Sequence, residues 1–199
     1  MKKIIRTGVV VAMMLMGVST FAMGSEPFVK VSAAGNKEFT LFINEVNAPA
    51  VVVSLKNISG NTLYKEVLLS KDKYSKLYDL TALPVGSYTL EVDEDTRINT
   101  WSVELSSEGL SVDLNAKKEF FKPQIVEKDN VLGISFFNKT NETLEISVLN
   151  DRNEEIFTEE LAEDLVIMKQ YDLSKFDRGR YTVVARTAGK SFNEVIDVK

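Results

Sequence analysis

The sequence predicts an all-β protein, two tandem seven-stranded antiparallel β-sandwiches behind a cleaved leader, and three observations predict it. The chain repeats itself without a gap at an offset of 93 residues: Ser54 falls on Ser147, Asn57 on Asn150, Glu66 on Glu159, Lys76 on Lys169 and Tyr78-Asp79-Leu80 on Tyr171-Asp172-Leu173. A self-match of this kind is the mark of two copies of one structural unit. Apolar residues alternate with period two and no long 3.6-residue period appears after the leader, which favours strands with one face on a core. The chain opens on a basic, then apolar, then small-residue run.

That run is the first element. Lys2, Lys3 and Arg6 precede the apolar stretch Val9 to Met16, and cleavage is expected after Ala22 or Gly24, so residues 1–24 read as a secretory signal peptide. The apolar stretch is shorter than the roughly 20 residues of a spanning helix, which disfavours an uncleaved anchor.

The first module, residues 25–115, is expected to hold strands at 28–33, 38–45, 50–57, 62–69, 75–80, 86–93 and 97–105. Phe39, Leu41 and Ile43, then Val51, Val53 and Leu55, then Trp101, Val103 and Leu105 form the inward rows. The stretch 106–114 reads either as linker or as an added edge strand turning back at Gly109, because Leu110, Val112 and Leu114 alternate. The second module, residues 116–199, is expected to place strands at 120–127, 131–137, 143–150, 155–161, 167–173, 179–186 and 191–198. Glu194 interrupts the last apolar row, so a bulge or an edge is expected there.

The densest match is the segment from Tyr78 to Thr89 against that from Tyr171 to Thr182. In each copy a strand ends at Leu80 or Leu173 and the chain crosses the end of the sandwich, burying Leu83 or Phe176. It passes Gly86 or Gly179 and starts a new strand at Tyr88 or Tyr181. The expected role of the tyrosine is a corner, its hydroxyl returned to the crossover backbone. This Asp-Leu-Ser/Thr…Gly-x-Tyr-Thr segment resembles the small Ig-like and fibronectin-III-like modules of exported Bacteroidetes proteins. It is similar in particular to the C-terminal sorting domains of type IX secretion cargo. The resemblance implies an Ig-like sandwich and, for the second module, a role read by the export machinery. Lys122-Pro123 stands where those domains carry Asn-Pro, and Asn153-Glu154-Glu155 where they carry Gly-Arg.

Composition narrows the chemistry. The formal charge is −5 at pH 7, and removing Lys2, Lys3 and Arg6 with the leader leaves −8, with no basic surface suited to nucleic acid. There is no Cys and no His, which removes thiol nucleophiles, Ser-His-Asp triads and His or Cys zinc sites. No catalytic, cofactor-binding or metal residue is therefore assigned. Glu91, Asp93, Glu94 and Asp95 are weighed as a calcium loop and read instead as a solvated turn, since the spacing lacks an EF-hand's Gly and distal Glu. Asp151, Glu154, Glu155, Glu159, Glu160, Glu163 and Asp164 read as a charged edge that blocks sheet pairing, not as a glycosidase pair. Phe42, Val52, Phe137 and Leu149 are expected to point away from the core, as a partner surface. Phe120 and Phe121 are expected to pack the modules together, and Trp101 to sit in the core. The glycosylation triplets at Asn57, Asn138 and Asn141 are read as chance.

The function expected is an exported, non-catalytic binding, adhesion or structural protein of the periplasm, cell surface or medium, with an unidentified protein or glycan partner. A secretion-associated module is the alternative. A carboxylate-dependent hydrolase is the distant one.

Overall fold

The computed structural model describes residues 28–34, 36–161 and 164–199; the expected leader, residues 1–24, and Glu163 lie outside them. The described chain is all strand and turn, and no helix occurs among the described residues.

The first half is one wrapped seven-stranded sheet. Its strands are β1 (Phe28–Ala33), β2 (Glu38–Asn57), β3 (Thr62–Asp79), β4 (Gly86–Asp93), β5 (Arg97–Leu105), β6 (Leu110–Val112) and β7 (Lys118–Phe121). Two separate pairs of strands were expected over 38–57 and 62–80; each pair is one long strand. Residues 38–44 of β2 pair with β1 and with 73–79 of β3, whereas residues 52–57 pair with β4 and with the start of β3. The register slips between Val46 and Ala50, where β2 crosses from one side of the sandwich to the other. Phe39, Leu41 and Ile43 thereby meet Val53, Leu90, Trp101 and Val103 in one core, all nearly inaccessible to solvent. Burying each such side chain contributes roughly 1.5–3 kcal/mol.

Residues 106–114 include the added edge strand: β6 pairs with Val103–Leu105 of β5 and turns back through Gly109. The strand expected at 120–127 is divided. Lys118–Phe121 forms β7 on Arg97–Thr100 of β5, and a new strand begins at Gln124. Pro123 lies between them, buried and without an N–H to donate, which ends the first pairing.

The second half is a two-sheet sandwich. Strands β8 (Gln124–Lys128), β9 (Val131–Phe137) and β12 (Val166–Asp172) form one sheet in the order β12-β9-β8. Strands β10 (Leu144–Leu149), β11 (Glu155–Leu161), β13 (Gly179–Thr187) and β14 (Lys190–Val198) form the other in the order β11-β10-β13-β14. All pairings are antiparallel, and this three-on-four arrangement is that of an Ig-like or fibronectin-III-like sandwich. Of the bulge or edge expected at Glu194, the edge is what forms: β13 and β14 stay in register through Val183 opposite Glu194, and Glu194 lies exposed on the edge strand β14. A long side chain at an open edge reaches water without distorting the ladder. The slip in this sheet falls between Val148 and Leu149, 93 residues after its counterpart between Leu55 and Lys56.

The crossovers match bond for bond. Leu80 N donates to Lys37 O and Leu173 N to Asn130 O; Leu83 N donates to Leu80 O and Phe176 N to Leu173 O. Asp79 and Asp172 each accept from the backbone two residues on, at Thr81 and Ser174. The Tyr88 hydroxyl donates to Pro84 O at 2.5 Å and the Tyr181 hydroxyl to Asp177 O at 2.8 Å, so both tyrosines are corners.

Candidate functional site

Two clusters of side chains stand out, one polar and one apolar. The polar cluster sits where β3 passes from one side of the first sandwich to the other. Lys76 Nζ lies 2.7 Å from Glu66 and donates to the Tyr64 hydroxyl, while the Tyr64 and Tyr74 hydroxyls donate to the same Glu66 oxygen. The Tyr74 and Tyr78 hydroxyls are 3.0 Å apart. The Tyr64 ring meets Tyr78 edge-on, and Tyr78 stacks on Phe39 at 4.9 Å. The second module repeats the core of this cluster, with Lys169 and the Tyr171 hydroxyl on Glu159 and Phe157 edge-on to Tyr171.

The hydrogen bond from Lys76, then that from Tyr64, holds the Glu66 carboxyl below its ordinary range. Burial, and after it the bond to Glu66, pushes the Tyr74 phenol up to about 12. Burial likewise raises Tyr78 and Tyr171, and the Glu66 bond raises Lys76. At neutral pH the phenols stay protonated and the groups satisfy one another. In the first module the arrangement ties the two ends of the long strand β3, and in the second it ties β11 of one sheet to β12 of the other.

The acidic turn is not a solvated loop throughout. Glu94 is buried, accepts from Asn99 Nδ2 at 2.7 Å and lies beside buried Arg97. Asp93 pairs with Lys122, Glu91 pairs with Lys56, and Asp95 is exposed. The reason is β7: it lays Glu119 and Lys122 over this turn, and Arg97 is shared between Glu94 and Glu119. Among the described residues no group of three His, Cys, Asp or Glu side chains is placed to hold a metal. In the second acidic run Asp151, Glu155, Glu160 and Asp164 are exposed. Glu154 holds Asn150, and Glu159 belongs to the polar cluster.

The apolar cluster lies on the outer face of the sheet β12-β9-β8. Of the four residues expected to face outwards, Phe42, Val52 and Leu149 are half-buried, and Phe137 is 42 % exposed. Phe137 does not stand alone. The register places Val166 opposite Phe137, Met168 opposite Ser135 and Ser135 opposite Gln124; Gln170 lies opposite Gly133 and Gly133 opposite Val126. Met168 is 75 % exposed, and Val126 and Val166 are exposed as well. Gly133 leaves a dent at the centre, a hollow of about 500 Å³. It adjoins a second of about 270 Å³ beside Phe121 and Phe137, with Gln124, Ser135 and Met168 shared. Phe121 meets Phe137 edge-on at 5.0 Å, while Phe120 stacks on Phe192, so both linker phenylalanines pack onto the second module. Trp101 is in the first core. Val126, Val166 and Met168 escaped the sequence reading because only the register across β8, β9 and β12 gathers them on the face of Phe137.

The first module supplies a control for this face. With the same register, Ser32 stands opposite Thr40 where Val126 stands opposite Gly133. Lys73 and Ser75 occupy the places of Val166 and Met168, and Asn44 that of Phe137. Half-buried Phe42 and exposed Leu77 are the apolar members of the first module's face.

No family model matches the chain, and no curated protein sequence does. Among solved structures it is similar to a biofilm-associated protein, BSP domain, at 16% identity and a TM-score of 0.28, covering 87% of this chain and 29% of that one. It is also similar to a segment of two fibronectin type-III domains from chicken tenascin, at 8% identity and a TM-score of 0.30, covering 86% of this chain and 99% of that one. This chain thus spans less than a third of the biofilm-associated chain.

Proposed function

We propose that this chain is an exported, non-catalytic binding protein whose second module engages a protein or glycan partner through the outer face of β8, β9 and β12. One observation carries the reading: two copies of one backbone differ on the same face, mostly polar in the first, where Phe42 and Leu77 are the apolar members, and more apolar in the second. The fold does not need the apolar version, since the first copy folds without it, and contiguous exposed apolar surface lowers solubility unless a partner covers it. Gln124, Gln170 and Ser135 around the dent at Gly133 offer the polar anchors that fix a ligand's orientation.

The test is retention of the purified chain on isolated cell envelopes and on a glycan array. The double variant Phe137→Ser, Met168→Lys is expected to lose retention while melting within a few degrees of wild type. A control pair on the first module, Lys73→Ala with Ser75→Ala, is expected to keep it. Equal retention by all three proteins would remove the apolar face from consideration.

A further inference from the structure

In the first module the gap between the two outer strands β1 and β5 is closed by the chain itself. Strand β6 pairs antiparallel with Val103–Leu105 of β5 and also lies against β1. Its Leu110 and Val112 pack on the first core. The fit is close: a Cβ at Gly109 would stand 2.7 Å from Asn36 O. At the offset of 93, Val103–Leu105 corresponds to Ile196–Val198 of β14, and β8 takes the place of β1. No described strand pairs with the outer edge of β14. The seam between β14 and β8 there is a hollow of about 390 Å³ lined by Ile125, Val126, Ile196 and the carboxylate residues Glu127, Glu194 and Asp197. It continues along β14 into a second hollow, about 340 Å³, through shared Ile125 and Glu194.

We propose that the β14–β8 seam is a second binding site, which takes an extended peptide strand in antiparallel pairing with Ile196–Val198. The first module defines the shape of the occupant: apolar residues at alternate positions, as in Leu110-Ser111-Val112. The rim defines its charge. Glu194 stands where the first module has Trp101, and with Glu127 and Asp197, the last also 3.4 Å from Arg180, it makes the first hollow acidic apart from Lys199. The occupant therefore carries Lys or Arg between its apolar residues. Main-chain hydrogen bonds along a sheet edge give such a strand its affinity, and the charges give it selectivity. This site adjoins the outer face of β8, β9 and β12, sharing Val126 with it, and is told apart by β14.

The probe is the synthetic peptide Lys-Leu-Lys-Val-Lys, titrated into the isotope-labelled full chain and followed by two-dimensional NMR. Shift changes are expected along Gln124–Lys128 and Lys190–Val198, with slowed amide exchange in β14. The peptide Glu-Leu-Glu-Val-Glu, and a version with proline at the central position, are expected to produce neither effect. Glu194→Lys, at an exposed site, is expected to weaken the lysine peptide about fivefold or more, an upper-range effect for one surface charge. Silence at millimolar peptide, or equal binding of the acidic peptide, would overturn the proposal. So would changes confined to Phe137, Met168 and Gly133, which would assign the peptide to the outer face instead.

Discussion

Tyr88 and Tyr181 stand 93 positions apart and make the same bond, each hydroxyl donating to the carbonyl four residues before it, on Pro84 and on Asp177. Both rings are buried, and each locks the crossover that precedes its own strand. Tyr88→Phe and Tyr181→Phe should each cost about 0.5–1.5 kcal/mol, the net worth of one hydrogen bond, since the accepting carbonyls lie on exposed residues that water can reach. The alanine variants should cost about 3 kcal/mol or more through the cavity they add. Urea denaturation of the four proteins checks the order, which fails if phenylalanine and alanine variants are alike.

The cluster on Glu66 makes a prediction about pH. Its carboxyl is held low in the folded state by the Lys76 and Tyr64 hydrogen bonds, so the unfolded chain takes up a proton first as pH falls. The stabilisation is complete above the ordinary glutamate range, near 4.3, and is lost as pH drops through the lowered value. Lys76 is held high, so its share is present below the ordinary lysine range and fades only in strong alkali. Glu66→Gln should therefore lower the melting temperature at pH 7, and the gap to wild type should close as pH falls below the ordinary glutamate range. Parallel pH-melt curves for the two proteins would refute this.

Arg97 is predicted to be the most sensitive charged residue. It lies buried between Glu94 and Glu119, and Glu94 is itself buried. Arg97→Met should cost about 3–5 kcal/mol, the usual result of stranding a buried charge. Asp95→Asn, a few ångströms of chain away but exposed, should stay within about 0.5 kcal/mol. Chemical denaturation of both variants decides.

The turns at Gly60 and Asn153 are equivalent, with φ of +80° and +60°. Since asparagine serves in one copy, Gly60→Asn should cost less than about 1 kcal/mol, whereas Gly60→Val should cost about 1–2 kcal/mol for forcing a β-branched residue into left-handed backbone. Thermal melts of the pair separate the two outcomes.

Much of this architecture is legible in the sequence because the repeat sits in residues that the fold uses. Tyr78-Asp79-Leu80 and its copy anchor crossovers, and the alternating apolar rows are the observed cores. What stays hidden has a physical cause. Nothing in Glu45 to Pro49 marks a strand that bends without breaking, so β2 reads as two strands. The partner of Lys118–Phe121 is a strand of the first module, chosen by tertiary pairing that no local pattern reports. Phe137 is legible as an outward residue, but its neighbours Val126, Val166 and Met168 emerge only when the register sets β8, β9 and β12 side by side. Buried Glu94 reads as a solvated turn residue because its cover arrives from β7.

Strand β7 holds the first module by its backbone and the second by its rings, since Lys118–Phe121 pairs with β5 while Phe120 and Phe121 rest on Phe192 and Phe137. Its side chains join the modules as well: Glu119 faces Arg97 on one side and Lys139 on the other. Cutting the chain before β7 strips an edge from one module, and cutting after it bares aromatic surface on the other. The two sandwiches are consequently linked in their melting as well as in their sequence. Partial unfolding of either would forfeit contacts of both, and the chain's natural unit of cooperativity is the pair.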